Sequence, residues 1–399
     1  MKKIVMAISA GVILFSILCQ RAAAQEEQWL QYASSIESQR IVGGISNQGL
    51  SIEDKAPAEV GLPEFKNDKP IFAQWKSPMV KGGGLWVALD STKKNGSYDL
   101  LYIDSNGDGN LKDETAITTY RSETMSGTYQ GYQSYFNPAK VILEGEDGPV
   151  TYHLNSTYYT YGENRVFYVY SGCWYEGTIS ADGEKKYCLL LDYNANGTFD
   201  DKGLSQHDRI RIGEKDSGDT RFVGKYLEID EQLYELEVAR DGAYVKLKKA
   251  EDVKYGDIEV QEAITKFSAG GENGLFDVKL EKGAGKLPAG QYRIENWQIE
   301  RKDDKNNKWR IEGMRFGDKG ILDISEGGRV KVDAGEPVIS ILEVAKGKGN
   351  QYTFNQKLSG RLGESITLYF NDNPRPRPPR LLLKSKDGKF DKSFAFEYG

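Results

Sequence analysis

The segment YELEVARDGAYVKLK, residues 234–248, decides the fold. Tyr234, Leu236 and Val238 alternate with Glu235 and Glu237, and Val245 and Leu247 alternate with Lys246 and Lys248, on either side of Arg240-Asp241-Gly242. Successive side chains of a strand point to opposite faces, so a period of two around a turn predicts an antiparallel hairpin with one face buried. Shorter apolar runs bounded by Gly, Asn, Asp or Ser recur along the chain, among them Leu85–Asp90, Tyr98–Ile103, Arg165–Tyr170 and Tyr187–Leu191. The 24 tyrosines point the same way, because aromatic side chains suit a pleated, half-buried surface. Helical periodicity is confined to Gln25–Arg40, read as a helix or a leader segment. The chain is expected to be all-β.

A hairpin pattern repeats. Leu85–Asp90, a polar turn and Tyr98–Ile103 lead into an Asp/Asn–Gly loop at Asp104. Trp174–Ile179, a polar turn and Tyr187–Leu191 lead into a second such loop at Asp192, 88 residues further on. The repeat predicts a duplicated hairpin-plus-loop region: two related β units, residues 43–150 and 151–257, or one β domain with a duplicated core. From 258 the acidic loops cease. Short strands such as Phe276–Leu280, Gln291–Trp297, Trp309–Gly313 and Ile366–Phe370 then predict an antiparallel β-sandwich over 258–399.

The first residues read as a secretory signal peptide. Lys2 and Lys3 precede apolar Ile4–Leu18, and Ala22-Ala23-Ala24 stands before Gln25, giving residues 1–24 as the signal and 25–42 as a leader. Cys19 raises a lipoprotein alternative, but Leu18 stands where lipoprotein cleavage wants a small residue. About 15 apolar residues is short for a bilayer, and no later stretch is longer, so no membrane span is expected. Cleavage near Ala24 implies a secreted or periplasmic protein. It also removes Lys2, Lys3 and Arg21, taking the net charge from -6 to about -9. Such a chain gains nothing from phosphate attraction, which argues against nucleic acid as a partner. Cys173 and Cys188 remain, flanking the turn ADGE at 181–184. In an oxidising compartment an even pair predicts a cross-strand disulfide, with two buried thiols as the alternative.

The two loops carry the chemistry. They are DSNGDGNLKD, residues 104–113, and DYNANGTFDD, residues 192–201. Calcium wants six to eight oxygens presented by a tightly turning backbone. Asp104, Asn106 and Asp108 supply side-chain oxygens at positions 1, 3 and 5, and Asp192, Asn194 and Asn196 do so in the second loop. Gly109 and Gly197 at position 6 permit the reversal, and the carbonyls of Asn110 and Thr198 can serve at position 7. Leu111 and Phe199 at position 8 are placed to anchor each loop in a core, and Asp113 and Asp201 at position 10 to close the shell, with Glu114 and Asp200 as alternates. Asp108-Gly109 and Asn196-Gly197 are also turn dipeptides, and Asp/Asn-rich turns commonly hold no metal. Agreement role for role between two loops favours calcium. The second loop has Asn at positions 3 and 5, so it is expected to bind more weakly.

These loops resemble those of EF-hands and of dockerin-type DxDxDG sequences over about ten residues each. EF-hands close with Glu at position 12, where this chain has Thr115 and Gly203, and here a strand precedes each loop. The resemblance therefore implies EF-hand-like ligands set between strands. Further along, LPAGQYRI at 287–294 resembles the opening of a strand in transthyretin-like and carboxypeptidase-regulatory-like Ig-type modules, which implies a structural or adhesive C-terminal Ig-like sandwich without catalysis. As a whole the chain resembles secreted bacterial proteins with such loops and such a module. NPRPRPPR at 373–380 reads as a stiff connector into a last hairpin, Leu381–Ser385 with Phe394–Tyr398, or as a recognition segment.

No HExxH, GxSxG or phosphate-binding glycine loop is present, and the two histidines stand apart, His153 in a strand and His207 in a solvated segment. A non-enzymatic calcium-binding protein with an extracellular or cell-surface partner is the expectation. The alternative is a carbohydrate-binding or glycoside-hydrolysing protein with structural calcium. Tyr152, Tyr158, Tyr159, Tyr161, Tyr168, Tyr170, Trp174 and Tyr175 are dense enough for cross-strand packing or for a glycan-stacking surface. A glycan or a surface protein is the expected partner.

Overall fold

The computed structural model describes residues 26–44, 47–126, 130–216, 220–349, 351–373 and 376–398, so the signal-peptide segment and Cys19 lie outside the described residues. The protein is all-β, with 55% strand against 2% helix. No helix among the described residues is long and apolar enough to cross a membrane. In the hairpin of residues 234–248, Leu236 pairs with Leu247 and Val238 with Val245. Tyr234, Leu236, Val238 and Val245 are buried, while Glu237 meets Lys246 at 2.9 Å on the outer face.

Three antiparallel sheets enclose the first core. The largest has eight strands: Gln48–Leu50, Asn164–Ser171, Gly148–Tyr161, Gly131–Gly145, Ile117–Met125, Leu100–Ile103, Gly84–Asp90 and Ile71–Lys76. Apart from the first, neighbours in this sheet are neighbours in sequence; two-residue turns join Gly131–Gly145 to Gly148–Tyr161 and Gly148–Tyr161 to Asn164–Ser171 and hold their register. Its long central strands kink between Phe136 and Ala139, where Pro138 lacks a donor for the ladder. A five-stranded sheet contains Cys173–Ala181 and Glu184–Leu191, and a four-stranded one contains the 234–248 hairpin.

Two expectations change here. Gln25–Arg40 is not a helix: Gln28–Trp29 pairs with Tyr244 and Val245, Gln31–Ser34 pairs with Cys173–Glu176, and only Ser38–Val42 is helical. Two strand edges with open hydrogen-bonding groups capture the segment, which outweighs a weak local preference. The division at 150/151 falls inside the hairpin of Gly131–Gly145 with Gly148–Tyr161, and one hydrophobic cluster draws on both sides of it, including Trp75, Phe136, Tyr152 and Phe199. The second loop is anchored in this cluster through Phe199, while Leu111 of the first loop packs in a small cluster of its own with Phe72 and Ala88 of the eight-stranded sheet.

A second core gathers Ile258, Phe267, Tyr292, Trp297 and Ile366, and Tyr226 reaches into it from the four-stranded sheet. A sheet built on Ile264–Gly271, Gly290–Lys302, Lys308–Met314 and Ser365–Phe370 faces a three-stranded sheet of Ala284–Pro288, Tyr255–Glu259 and Arg329–Lys331, in a sandwich-like arrangement. Arg380–Lys384 and Asp391–Ala395 form a separate two-stranded sheet, with Leu381 opposite Phe394.

Candidate metal centre

The first loop leaves the strand Leu100–Ile103 and is stitched by its own side chains. Asp104, buried, accepts the N–H of Asp108 at 3.1 Å on one oxygen and that of Gly109 at 3.0 Å on the other. Asn106 Oδ1 accepts from the Asp108 N–H at 3.0 Å, Asp108 Oδ1 from Asn110 at 2.9 Å, and Asn110 Oδ1 from Lys112 at 3.2 Å. Gly107 and Gly109 both lie in the left-handed region, at φ 75° and 78°. Leu111 is fully buried with Phe72 and Ala88 and anchors the loop. Gly61, which sequence reasoning passed over, clamps it: its N–H donates to Gly109 O at 2.9 Å and its carbonyl accepts from Leu111 at 2.7 Å. A Cβ at Gly61 would lie 2.2 Å from Asn110 Oδ1, so a larger residue there would push the Asn110 side chain aside.

The second loop repeats this scaffold. Asp192 accepts from Asn196 N–H at 3.3 Å and Gly197 N–H at 2.7 Å, Asn194 Oδ1 from Asn196 N–H at 3.1 Å, and Asn196 Oδ1 from Thr198 N–H at 2.9 Å. Positions 4 and 6 are again left-handed, Ala195 at φ 54° and Gly197 at φ 92°. Trp75 Nε1 donates to Ala195 O at 2.7 Å and pins the strained residue. Phe199 is buried against Tyr152 and Tyr175.

The loops differ at their closing carboxylates. Asp201 is drawn in: its Oδ2 accepts from the side-chain amides of Asn194 and Asn196, both at 2.7 Å. Positions 3, 5 and 10 therefore converge, with two amide donors turned toward the carboxylate. In the first loop Asn106 Nδ2 donates instead to Asp108 Oδ2 at 3.1 Å, and Asp113 is exposed. Glu114 turns to the loop backbone, accepting from the N–H of Ser105 at 2.5 Å and its hydroxyl at 3.0 Å. Asp208, also passed over in the sequence, does the same in the second loop: it accepts from Tyr193 N–H at 2.9 Å and Asp201 N–H at 2.8 Å. Glu114 and Asp208 thus hold position 2 of their loops and do not point to the shell.

Electrostatics sharpen the contrast. Burial raises the Asp104 carboxyl above its ordinary range, against the backbone donors and with Asp108 adding its charge. Complete burial pushes Asp192 up to about 7 despite a 2.7 Å bond from the Tyr152 hydroxyl. Burial also lifts Asp208 well above its usual range, and Asp192 and Asp201 push the same way. A cation would relieve this crowding of buried acids. Among the described residues no three His, Cys, Asp or Glu side chains converge as a metal cluster, so a cation in either loop would have to draw on amide and main-chain oxygens as well.

Elsewhere the structure corrects the sequence. Cys173 and Cys188 are free thiols, fully buried. In the register of their strands Cys188 faces Gly177, four residues from Cys173, which is roughly 13 Å along a strand and beyond disulfide reach. His207 is not solvated: it is buried, with its ring 3.6 Å from that of Phe222. His153 is half-buried and pairs with the Tyr32 hydroxyl through Nδ1 at 2.6 Å. The dense aromatics of the eight-stranded sheet divide by strand parity. Tyr152 and Tyr158 are buried, while Tyr159, Tyr168 and Tyr170 take the outer face with Tyr135. Trp174 and Tyr175, on the five-stranded sheet, are both buried. Tyr168 lies 6.2 Å from both Tyr159 and Tyr170, and Arg121 sits 5.0 Å over the Tyr135 ring.

Fold and loops together define an all-β protein with paired Asp/Asn–Gly loops at the ends of hairpins. No family model, curated protein or solved structure matches the chain.

Proposed function

We propose that this chain is a secreted, non-enzymatic calcium-binding protein in which the cation locks the first β core and an outer face of that core engages an extracellular partner. The observation that carries the reading is the shared scaffold of the two loops, in which the same backbone donors meet the same side-chain oxygens at positions 1, 3 and 5. In the first loop each of those oxygens accepts one such bond and keeps a second lone pair for a cation, whereas in the second Asp192 Oδ2 also accepts from the Tyr152 hydroxyl and Asn196 Oδ1 from that of Thr198. The first loop is the stronger site. It has carboxylates at positions 1, 5 and 10, whereas in the second loop two side-chain amides already hydrogen-bond to Oδ2 of Asp201. Affinities on the order of 10⁻⁴–10⁻³ M serve outside cells. The N-terminal pattern Lys2 to Ala24 supports secretion.

Thermal melting of the mature protein in calcium and in EDTA tests the site. Calcium should raise the melting temperature, and Asp104→Ala with Asp108→Ala should remove most of that rise. A melting temperature indifferent to calcium in the parent protein would sink the proposal.

The C-terminal region reads as an Ig-like module. At Ala289 the chain passes directly from one sheet to the other, and the buried Tyr292 hydroxyl donates to Pro288 O at 2.8 Å, four residues upstream, in the manner of a tyrosine corner. For the partner, a glycan fits the outer tyrosine face of the eight-stranded sheet. Tyr135, Tyr159, Tyr168 and Tyr170 offer ring faces beside Arg121 and Gln133, suited to stacking and hydroxyl contacts. A glycan array probed with the parent protein and with Tyr135→Ala/Tyr168→Ala tests this; glycan binding that survives the double substitution excludes the face.

A further inference from the structure

The C-terminal hairpin and a groove beside the second core carry opposite charge. Residues 376–398 contain six Lys or Arg against three Asp or Glu, in a chain whose net charge is -6. They fold into the two-stranded hairpin Arg380–Lys384 with Asp391–Ala395. A lone two-stranded hairpin is marginally stable in water, and this one exposes apolar side chains: Leu382 is 64% exposed, Phe394 44% and Phe390 42%. Leu382 shares a face with Arg380 and Lys384, an apolar residue between two cations.

The complementary surface lies where the two cores meet. A groove of about 530 Å³ carries Glu228, Glu231, Asp257, Asp277 and Glu281 against Lys279 and Lys286; Glu231 pairs with Lys279 at 3.0 Å, Asp277 with Arg221 at 2.8 Å and Asp257 with Arg329 at 3.8 Å, so its acidity rests chiefly on Glu228 and Glu281. Tyr255, Phe276 and Val278 give it an apolar floor. Three strands that line it, Tyr226–Ile229, Gly274–Asp277 and Ala284–Pro288, each stand at the end of their own sheet, and strand edges offer unpaired main-chain groups to an added strand. Acid, aromatic surface and open strand edges are what a basic, apolar, extended hairpin requires.

We propose that the C-terminal hairpin of one copy of this chain docks in the acidic groove of a second copy. Arg380 and its neighbouring cations meet the Glu228–Glu281 rim, Leu382 covers the apolar floor, and an edge of the hairpin extends one of the open sheets. The second copy is the favoured occupant because both the charge and the strand edge are supplied by this chain itself. Reciprocal docking gives a closed dimer, and one-way docking gives open chains.

Sedimentation velocity of the mature chain over a range of concentrations tests the proposal. Association should appear with concentration and weaken between roughly 0.01 M and 1 M salt, where the Debye length falls from about 30 Å to about 3 Å. Arg380→Glu with Lys386→Glu, and separately Glu228→Lys with Glu281→Lys, should each weaken it roughly tenfold or more, and mixing the two variants should restore it. All four positions are surface side chains, and a melting curve checks that each variant is folded. A chain that stays monomeric at every concentration overturns the proposal. So does association that neither reversal weakens.

Discussion

Gly109 and Gly197 occupy the same loop position with the same left-handed backbone, yet their surroundings differ. A Cβ at Gly109 would meet nothing within 4 Å, whereas at Gly197 it would lie 2.8 Å from Leu143 Cδ1 and 3.0 Å from Ser77 Oγ. Gly109→Ala should therefore cost only the conformational penalty, about 1–2 kcal/mol. Gly197→Ala adds overpacking of typically about 1–3 kcal/mol. Urea unfolding in EDTA compares the two, and an equal or smaller loss at Gly197 would contradict its packing against the core. His207 gives a residue-level prediction of another kind. Burial, with Arg209 adding to it, pulls its pKa down to about 4, and its Nδ1 has no hydrogen-bond partner among the described residues. The folded-state pKa lies below the unfolded value near 6.5, so the folded state resists protonation. Stability is then full above about pH 6.5 and falls as pH drops toward 4, by about 3 kcal/mol at most. His207→Phe, which keeps the stacking on Phe222, should flatten that limb of the stability–pH curve. A wild-type slope that persists in the variant would assign it to other groups.

At the scale of elements, the hairpin alternation of 234–248 and the paired loops were legible because each is written in neighbouring residues. What the alternation does not encode is which distant strand adds to an edge. Gln31–Ser34 pairs with Cys173–Glu176, and the Tyr32 ring packs against that of Tyr175 beside the buried Cys173. Both thiols should therefore be inert to a bulky thiol reagent in the native protein and react fully in denaturant, two per chain in a protein expressed without residues 1–24. A mature protein with no reactive thiol after unfolding without reductant would show a disulfide and contradict the strand register. Deleting residues 26–34 should open the Cys173 edge and make native Cys173 react, while Cys188, opposite Gly177 and adjoining Ile212 on the next strand, stays protected.

At the scale of the molecule, Phe199 of the second loop lies in the first core, Leu111 of the first loop packs with Phe72 and Ala88 of the eight-stranded sheet, and neither loop reaches the second core. Calorimetry in EDTA and in calcium should show the unfolding of the first core moving upward with calcium and that of the second moving little. Contacts such as Arg221 with Asp277 at 2.8 Å cross between the regions and couple the transitions without merging the cores. One transition that shifts as a unit would mean that the cores unfold together. The candidate site was legible in part for the same reason of range. Asp104 to Asp113 and Asp192 to Asp201 are local patterns, but Gly61 and Asp208 reach their loops through backbone bonds from other segments and leave no periodic mark.

By itself the sequence determined an all-β chain, the position of both Asp/Asn–Gly loops after hairpins, and the alternation that buries one face of 234–248. Those features follow from the period of two and from turn chemistry, which adjacent residues specify. Only the tertiary structure decided that Gln28–Trp29 and Gln31–Ser34 are strands, that one core draws on both sides of residue 150, that Cys173 and Cys188 stand four residues out of register, and that Asp201 Oδ2 accepts two side-chain amides while Asp113 is exposed. Each depends on a contact between residues far apart in the chain, where burial and open strand edges outweigh local preference.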